Sequence, residues 1–184
     1  MSFDIARRGP LDGLLLPRSG SFRASAAPFV RRFVLRGETS TLTPLAAAFG
    51  VAPPDAPLSS ASQGTRSALW LGPDEWLLIA EDESSGLEQD IEDALAGVFH
   101  SLVDVSHRQA AVVLEGPRAR EALEFGVALD LDPSAYPVGM VARTLLVKAE
   151  IGLWRVGAET WRIEVARSFA AYVAAVLMEA ARGF

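Results

Sequence analysis

The sequence predicts an α+β fold of two similar ferredoxin-like halves, residues 29–100 and 101–184, forming a single domain behind an extended basic arm, residues 1–28. Three observations lead there. A strand ending in glycine occurs twice, as Phe33-Val34-Leu35-Arg36-Gly37 and as Val112-Val113-Leu114-Glu115-Gly116. A hairpin with tryptophan on both strands also occurs twice, Ala68 to Ile79 with Trp70 and Trp76, and Gly152 to Ile163 with Trp154 and Trp161. Each hairpin then runs into an apolar helix. Both halves therefore read strand, helix, hairpin, helix, and elements recurring in a fixed order are the mark of internal duplication. Helices gathered on one face of an antiparallel sheet define the α+β class.

The elements follow in chain order. Gly9-Pro10, Pro17, Ser19-Gly20-Ser21 and Pro28 break any helical or alternating period, so residues 1–28 read as extended. Leu14, Leu15, Leu16 and Phe22 would be poorly placed in water, which sets them against the body of the protein or against another chain. With Arg7 and Arg8 they form a candidate partner interface. After the first strand, a short apolar helix ends near Gly50, and Ala52 to Ser67, rich in proline, alanine and serine, reads as a surface loop. The first hairpin is followed by Ser85 with Glu88 three residues on, a capping-box spacing ahead of Leu87, Ile91 and Leu95. His100 is placed at the end of that helix, where a cation suits the exposed carbonyls. The second half repeats the plan, its short helix ending near Gly126. Its final helix begins at Ser168, with Phe169, Tyr172, Val173, Val176, Leu177 and Ala180 on one stripe.

Composition closes off much chemistry. The chain has 184 residues, half of them apolar, enough for one well-buried core. It has no cysteine and two histidines, so disulfides and thiolate sites are excluded, as expected of a cytoplasmic protein. The net charge of −6 argues against nucleic acid or an anionic membrane as partner. It is unevenly spread, because seven arginines against two aspartates make residues 1–37 basic and leave the remainder acidic. The apolar run after Arg7-Arg8 is too short for an export signal, and no stretch approaches the length of a membrane span. Phosphate-binding glycine motifs are absent.

Val103-Asp104-Val105-Ser106-His107-Arg108-Gln109 is the densest polar cluster. In an extended chain Ser106 and His107 point to opposite faces, which rules out a nucleophile and base pair between them, and no strained elbow surrounds the serine. Arg143, Arg162 and Arg167 lie on strand-like segments where a forked guanidinium could hold a carboxylate or an ion-pair partner. The four tryptophans favour core packing over a pocket.

The same residues carry a family likeness. Leu71-Gly72-Pro73-Asp74-Glu75-Trp76-Leu77-Leu78, Val103 to Arg108, Gly116-Pro117, Leu129-Asp130-Leu131, Gly139 with Ala142-Arg143-Thr144-Leu145, and Ile163-Glu164-Val165 with Arg167-Ser168-Phe169-Ala170 together resemble the gamma subunit of heterotetrameric bacterial sarcosine oxidase. The likeness covers about Ala68 to the C-terminus. Through Asp104, Ser106, Gly116, Leu123 and Gly139 the second half is also similar to the folate-binding domain of aminomethyltransferase, the glycine-cleavage T-protein. Lys148-Ala149-Glu150-Ile151-Gly152 departs from that relative's pattern where it holds tetrahydrofolate.

The resemblance implies an accessory, non-catalytic subunit with alpha, beta and delta partners. The complex would demethylate sarcosine oxidatively to glycine, pass the one-carbon unit to tetrahydrofolate and release hydrogen peroxide. Flavin, NAD and tetrahydrofolate would belong mainly to the larger subunits, with none bound by this chain alone. Asp104, Ser106 and Arg143 are the candidate folate-like positions. Two alternatives stay open: the equivalent subunit of an N-methylglutamate dehydrogenase, and a stand-alone folate-binding protein of the T-protein type.

Overall fold

A computed structural model describes residues 8–18, 20–82 and 85–183. Arg7 lies outside the described residues. Among the described residues ten strands form two antiparallel five-stranded sheets, each covered on one face by two helices. The α+β expectation holds.

The first sheet comprises β2 (Arg31–Gly37), β3 (Ser60–Gln63), β4 (Arg66–Gly72), β5 (Glu75–Ala80) and β6 (His100–Asp104), in the order β3-β4-β5-β2-β6. Helices α1 (Leu42–Phe49) and α2 (Leu87–Ala94) lie over it. The second sheet comprises β1 (Arg23–Ala26), β7 (Gln109–Glu115), β8 (Val141–Leu146), β9 (Ala149–Gly157) and β10 (Thr160–Ala166), in the order β1-β7-β10-β9-β8. Helices α3 (Ala119–Glu124) and α4 (Ala170–Ala180) cover it. The two sheets superpose in role: β7 stands where β2 does, β10 for β5, β9 for β4 and β8 for β3.

The remaining equivalence joins the arm to the body. In the first half the strand beside β2 is β6, which follows α2; in the second half the strand beside β7 is β1, which comes from the N-terminal arm. Arg23–Ala26 is thus a sheet strand and not a free extension. Phe22 is buried in the second core with Leu11 and Ala24, and Leu16 packs partly against it. Of the apolar residues proposed as a partner interface, Phe22 is therefore occupied within its own chain, whereas Leu14 and Leu15 are exposed. Only glycine fits at position 116, where φ is +122° and an added Cβ would sit 2.7 Å from the Ser21 carbonyl oxygen. The close passage of the arm over the end of β7 depends on that missing atom.

Strand alternation explains how one sheet serves two environments. On β5, Trp76, Leu78 and Ala80 face α1 and α2, while Leu77 and Ile79 face the other sheet. On β10, Trp161, Ile163 and Val165 face α3 and α4. With both faces covered, β5 is buried along its whole length. Leu69, Leu77 and Ile79 of the first sheet meet Val141 and Trp154 of the second, so the halves pack sheet against sheet, with the helices outside. Trp76, Trp154 and Trp161 are buried, which places them in the packed interior as expected.

Several local expectations change. Ser60–Gln63, inside the stretch read as a surface loop, pairs along β4 as an edge strand; four polar or small residues carry no alternating signal. The Ser85 capping box does not form, because Gly86 in the left-handed region is the N-cap and no side chain bonds there. His100 opens β6 instead of closing a helix, its ring lying 2.8 Å from the Val98 carbonyl and 3.1 Å from the Glu92 carboxylate. Ser168 sits in a 3-10 turn, and α4 starts at Ala170. Phe169 is consequently off the buried stripe, exposed and edge-on to Tyr172.

Candidate functional site

The polar side chains of greatest structural interest lie on the sheet faces that look at each other. Position parity puts Arg32, Val34 and Arg36 of β2 on the face opposite Phe33 and Leu35, and Arg162 and Glu164 of β10 on the face opposite Ile163. Apart from Val34, each is a charged interruption in an apolar strand. Arg32 with Glu164 and Arg162 with Glu81 make ion pairs that cross between the halves.

At the centre, Glu164 accepts from Arg32 Nε at 2.8 Å and from Arg162 Nε at 2.8 Å. All three residues are at least nine-tenths buried. Arg32 also donates to the Val30 carbonyl at 3.2 Å, and Arg162 Nη1 reaches Glu81 at 3.2 Å. A second crossing pairs Arg143 of β8 with Glu75 of β5, through both guanidinium nitrogens, and Arg36 completes the cluster at 2.8 Å. Burial would raise the Glu75 carboxyl, but the hydrogen bonds and charges of Arg143, then Arg36, outweigh it and hold it below its ordinary value.

That direction sets a pH dependence. A carboxyl lowered on folding adds stability above its unfolded value of 4.5, and the contribution is lost as pH falls through the lower folded value. Glu75→Gln is expected to remove about 1 kcal/mol at neutral pH, a modest figure because both arginines are about half exposed. The difference from the unaltered chain should shrink below pH 4.5, which thermal unfolding between pH 3 and pH 7 would show; a pH-independent difference would contradict it.

Asp104 and Ser106 are brought together at the turn between β6 and β7. Ser106 N donates to Asp104 Oδ1 at 2.7 Å, its hydroxyl accepts from Arg32 N at 2.9 Å, and Arg31 lies 3.6 Å from the other Asp104 oxygen. Burial pushes the Asp104 carboxyl up, and its bonds from Ser106 and the charge of Arg31 bring it below the ordinary range. The His107 ring lies tilted against that of Phe29, with centroids 5.1 Å apart. The serine thus serves the backbone of β2, which agrees with the exclusion of a Ser-His pair.

Arg143 does not join this turn. Asp104 and Ser106 line a cavity with Phe29, Arg31 and His107, whereas Arg143 lines a groove of about 630 Å³ between the sheets with Arg36, Glu75 and Glu150. The three folate-like positions face two different spaces, and each already has a protein partner. Among the described residues no group of three or more histidines and carboxylates is placed to hold a metal, and no helix is long and apolar enough to cross a membrane.

Arg32, Glu75, Glu81 and Glu164 are the partners that sequence reasoning did not select. A charged residue among apolar ones in each of β2, β5 and β10 was the available signal, but spacing alone could not pair residues 68 to 132 positions apart.

The family model described as "Sarcosine oxidase, gamma subunit family" matches residues 38–182. The chain belongs to that family. A sarcosine oxidase subunit gamma from Arthrobacter sp. is 37% identical over 121 residues, 65% of this chain and 59% of the relative. One from Corynebacterium sp. (strain U-96) is 36% identical over 141 residues, 76% of this chain and 68% of the relative. The matched stretch therefore spans three-fifths to two-thirds of these relatives' length. By structure, the chain is similar over 97% of its length to 96% of a chain in the heterotetrameric sarcosine oxidase of Corynebacterium sp. U-96, with a TM-score of 0.88 and 30% identity. It also shares the fold of 45% of the glycine cleavage aminomethyltransferase T of Bartonella henselae, covering 84% of this chain at a TM-score of 0.64 and 13% identity.

Proposed function

We propose that this chain is the gamma subunit of a heterotetrameric sarcosine oxidase, an accessory member that supports larger catalytic chains. The observation that carries this reading is the end-to-end likeness to a chain of such a complex, covering 97% of one and 96% of the other. The interior supports a structural role. Its conspicuous charged groups are tied to one another across the two halves, and the Ser106 hydroxyl holds backbone. Exposed Leu14, Leu15 and Phe99, with Arg8 of the arm, suit burial against partner subunits.

In this reading the partners are the alpha, beta and delta subunits. Flavin, NAD and tetrahydrofolate are held by the larger ones, and the assembled enzyme converts sarcosine to glycine with transfer of the one-carbon unit and formation of hydrogen peroxide. The compartment is the cytoplasm. Affinity purification of the tagged full chain from its native cell is expected to recover flavin-containing partners in fixed ratio. Recovery as a flavin-free monomer would overturn the assignment.

A second reading, a stand-alone folate binder, draws on the shared fold with the aminomethyltransferase. Titration of the isolated chain with tetrahydrofolate in a calorimeter separates the two. The accessory reading expects no saturable heat, since Asp104, Ser106 and Arg143 face separate spaces.

A further inference from the structure

The two halves build one turn from different residues. Gly64-Thr65 joins β3 to β4 and Val147-Lys148 joins β8 to β9, two-residue connections closed by the pairs Gln63 with Arg66 and Leu146 with Ala149. The first residue of each lies in the left-handed region, Gly64 at φ +58° and Val147 at φ +55°. Glycine takes that conformation freely, whereas valine, branched at Cβ, is strained in it. Strained residues of this kind gather where a protein grips a ligand or a partner. Burial within the chain does not account for the valine, which is exposed.

A second break in the repeat lies against the first. Phe-Gly-Val closes the short helix of both halves, as Phe49-Gly50-Val51 and as Phe125-Gly126-Val127. Phe49 is fully buried in the first core, but Phe125 is 56% exposed. The Val147 N–H donates to the Gly126 carbonyl at 2.7 Å, and the Val147 side chain lies so close over Gly126 that an added Cβ there would stand 2.7 Å from Cγ2. Val127 and Leu146 are bridged alongside, and within two residues of that bridge Leu129 and Leu145 are exposed as well. Four large apolar residues are thus left in water around one junction of the backbone.

The surrounding charges narrow what covers them. Residues 118–132 and 145–150 carry five carboxylates against three cations. Arg118 pairs with Glu121, and Arg120 is shared by Glu124 and Asp132, while Asp130 and Glu150 have no cation among the described residues. An apolar centre with an acidic surround fits an apolar surface edged by arginine or lysine, and disfavours a second copy of itself, which would bring like charges together. We infer that the Val147 turn, with Phe125 beside it, is a docking face for a larger subunit that presents such a basic-edged apolar surface. The inference rests on the subunit reading above and adds to it the face by which the chain is held.

Lys148, the single lysine of the chain, is exposed in this turn, so the unaltered protein carries its own probe. Acetylation by an N-hydroxysuccinimide ester, read by mass at Lys148, is expected to be at least about tenfold slower in the complex purified from the native cell than in the free full chain. Val147→Gly copies the first-half turn and should leave the thermal midpoint of the free chain unchanged or raised. Co-expressed with the unaltered chain, Val147→Gly, Phe125→Ser and Glu150→Arg should each enter the complex about tenfold less often. Equal acetylation in both states, incorporation matching the unaltered chain, or protection of Lys148 in the concentrated free chain would overturn the docking face and leave the subunit assignment standing. A lowered thermal midpoint in Val147→Gly would overturn it too, by making the valine a structural residue. Recovery of the chain without flavin-containing partners would remove the subunit assignment and the docking face together.

Discussion

Glu164→Ala is expected to lower the stability of the folded chain by about 3–5 kcal/mol, seen as a fall in the urea midpoint at unchanged slope. Glu164 is 5% exposed and is the shared acceptor of Arg32 and Arg162. Its removal leaves two guanidiniums in the interior, of which only Arg162 retains a carboxylate, the half-exposed Glu81. The magnitude follows from the stranded charges and not from any large net gain in forming the pair, because desolvation offsets most of the attraction in a buried ion pair. Arg32→Met combined with Glu164→Leu should therefore be less destabilised than Glu164→Ala alone, since Arg162 then retains Glu81 and no second cation is stranded. If Glu164→Ala stays within about 1 kcal/mol of the unaltered chain, the network is not closed to solvent in the way its burial indicates.

Phe22→Ala is expected to cost about 3–5 kcal/mol, the range for truncating a fully enclosed aromatic side chain. Phe22 is 2% exposed and lies in the second core with Leu114 and Leu123. Deletion of residues 1–28 should be more damaging, because it also removes β1 and exposes the edge of β7 to pairing with other chains. Chemical denaturation with parallel light scattering distinguishes these outcomes: Phe22→Ala should remain monodisperse at low denaturant, and the deletion should aggregate. A deletion variant as stable as the full chain would show that the arm is dispensable to the second half. Gly116→Val offers an independent check, since it leaves Phe22 intact while blocking the approach of Ser21 and Phe22 to β7.

The duplicated plan was legible because its evidence is local. Val112 to Leu114 is a short apolar, β-branched run closed by Gly116, Trp154 and Trp161 bracket a turn, and Leu87, Ile91 and Leu95 recur at helical spacing. The elements that escaped have no such pattern. Arg23–Ala26 and Ser60–Gln63 are four residues each and are strands because a longer strand offers them a hydrogen-bonding edge. Ser85 carried a capping signal that failed, since Gly86 could take the left-handed conformation and begin the helix one residue later. At the candidate site Asp104 and Ser106 were found together because they are two residues apart and satisfy each other locally. Arg143 was grouped with them by family likeness, yet it sits on the other sheet, held by Glu75.

By itself the sequence determined the fold class, the repeat, the likeness to the gamma subunit family and the exclusion of thiol and Ser-His chemistry, because periodicity, motif order and residue type are properties of short segments. Only the tertiary structure decided that the arm completes the second sheet, that Phe22 belongs to the core, and that carboxylates of one half hold arginines of the other. Those outcomes depend on which faces meet when two sheets pack, and a pairing such as Arg32 with Glu164, 132 residues apart, leaves no trace in the spacing of either strand.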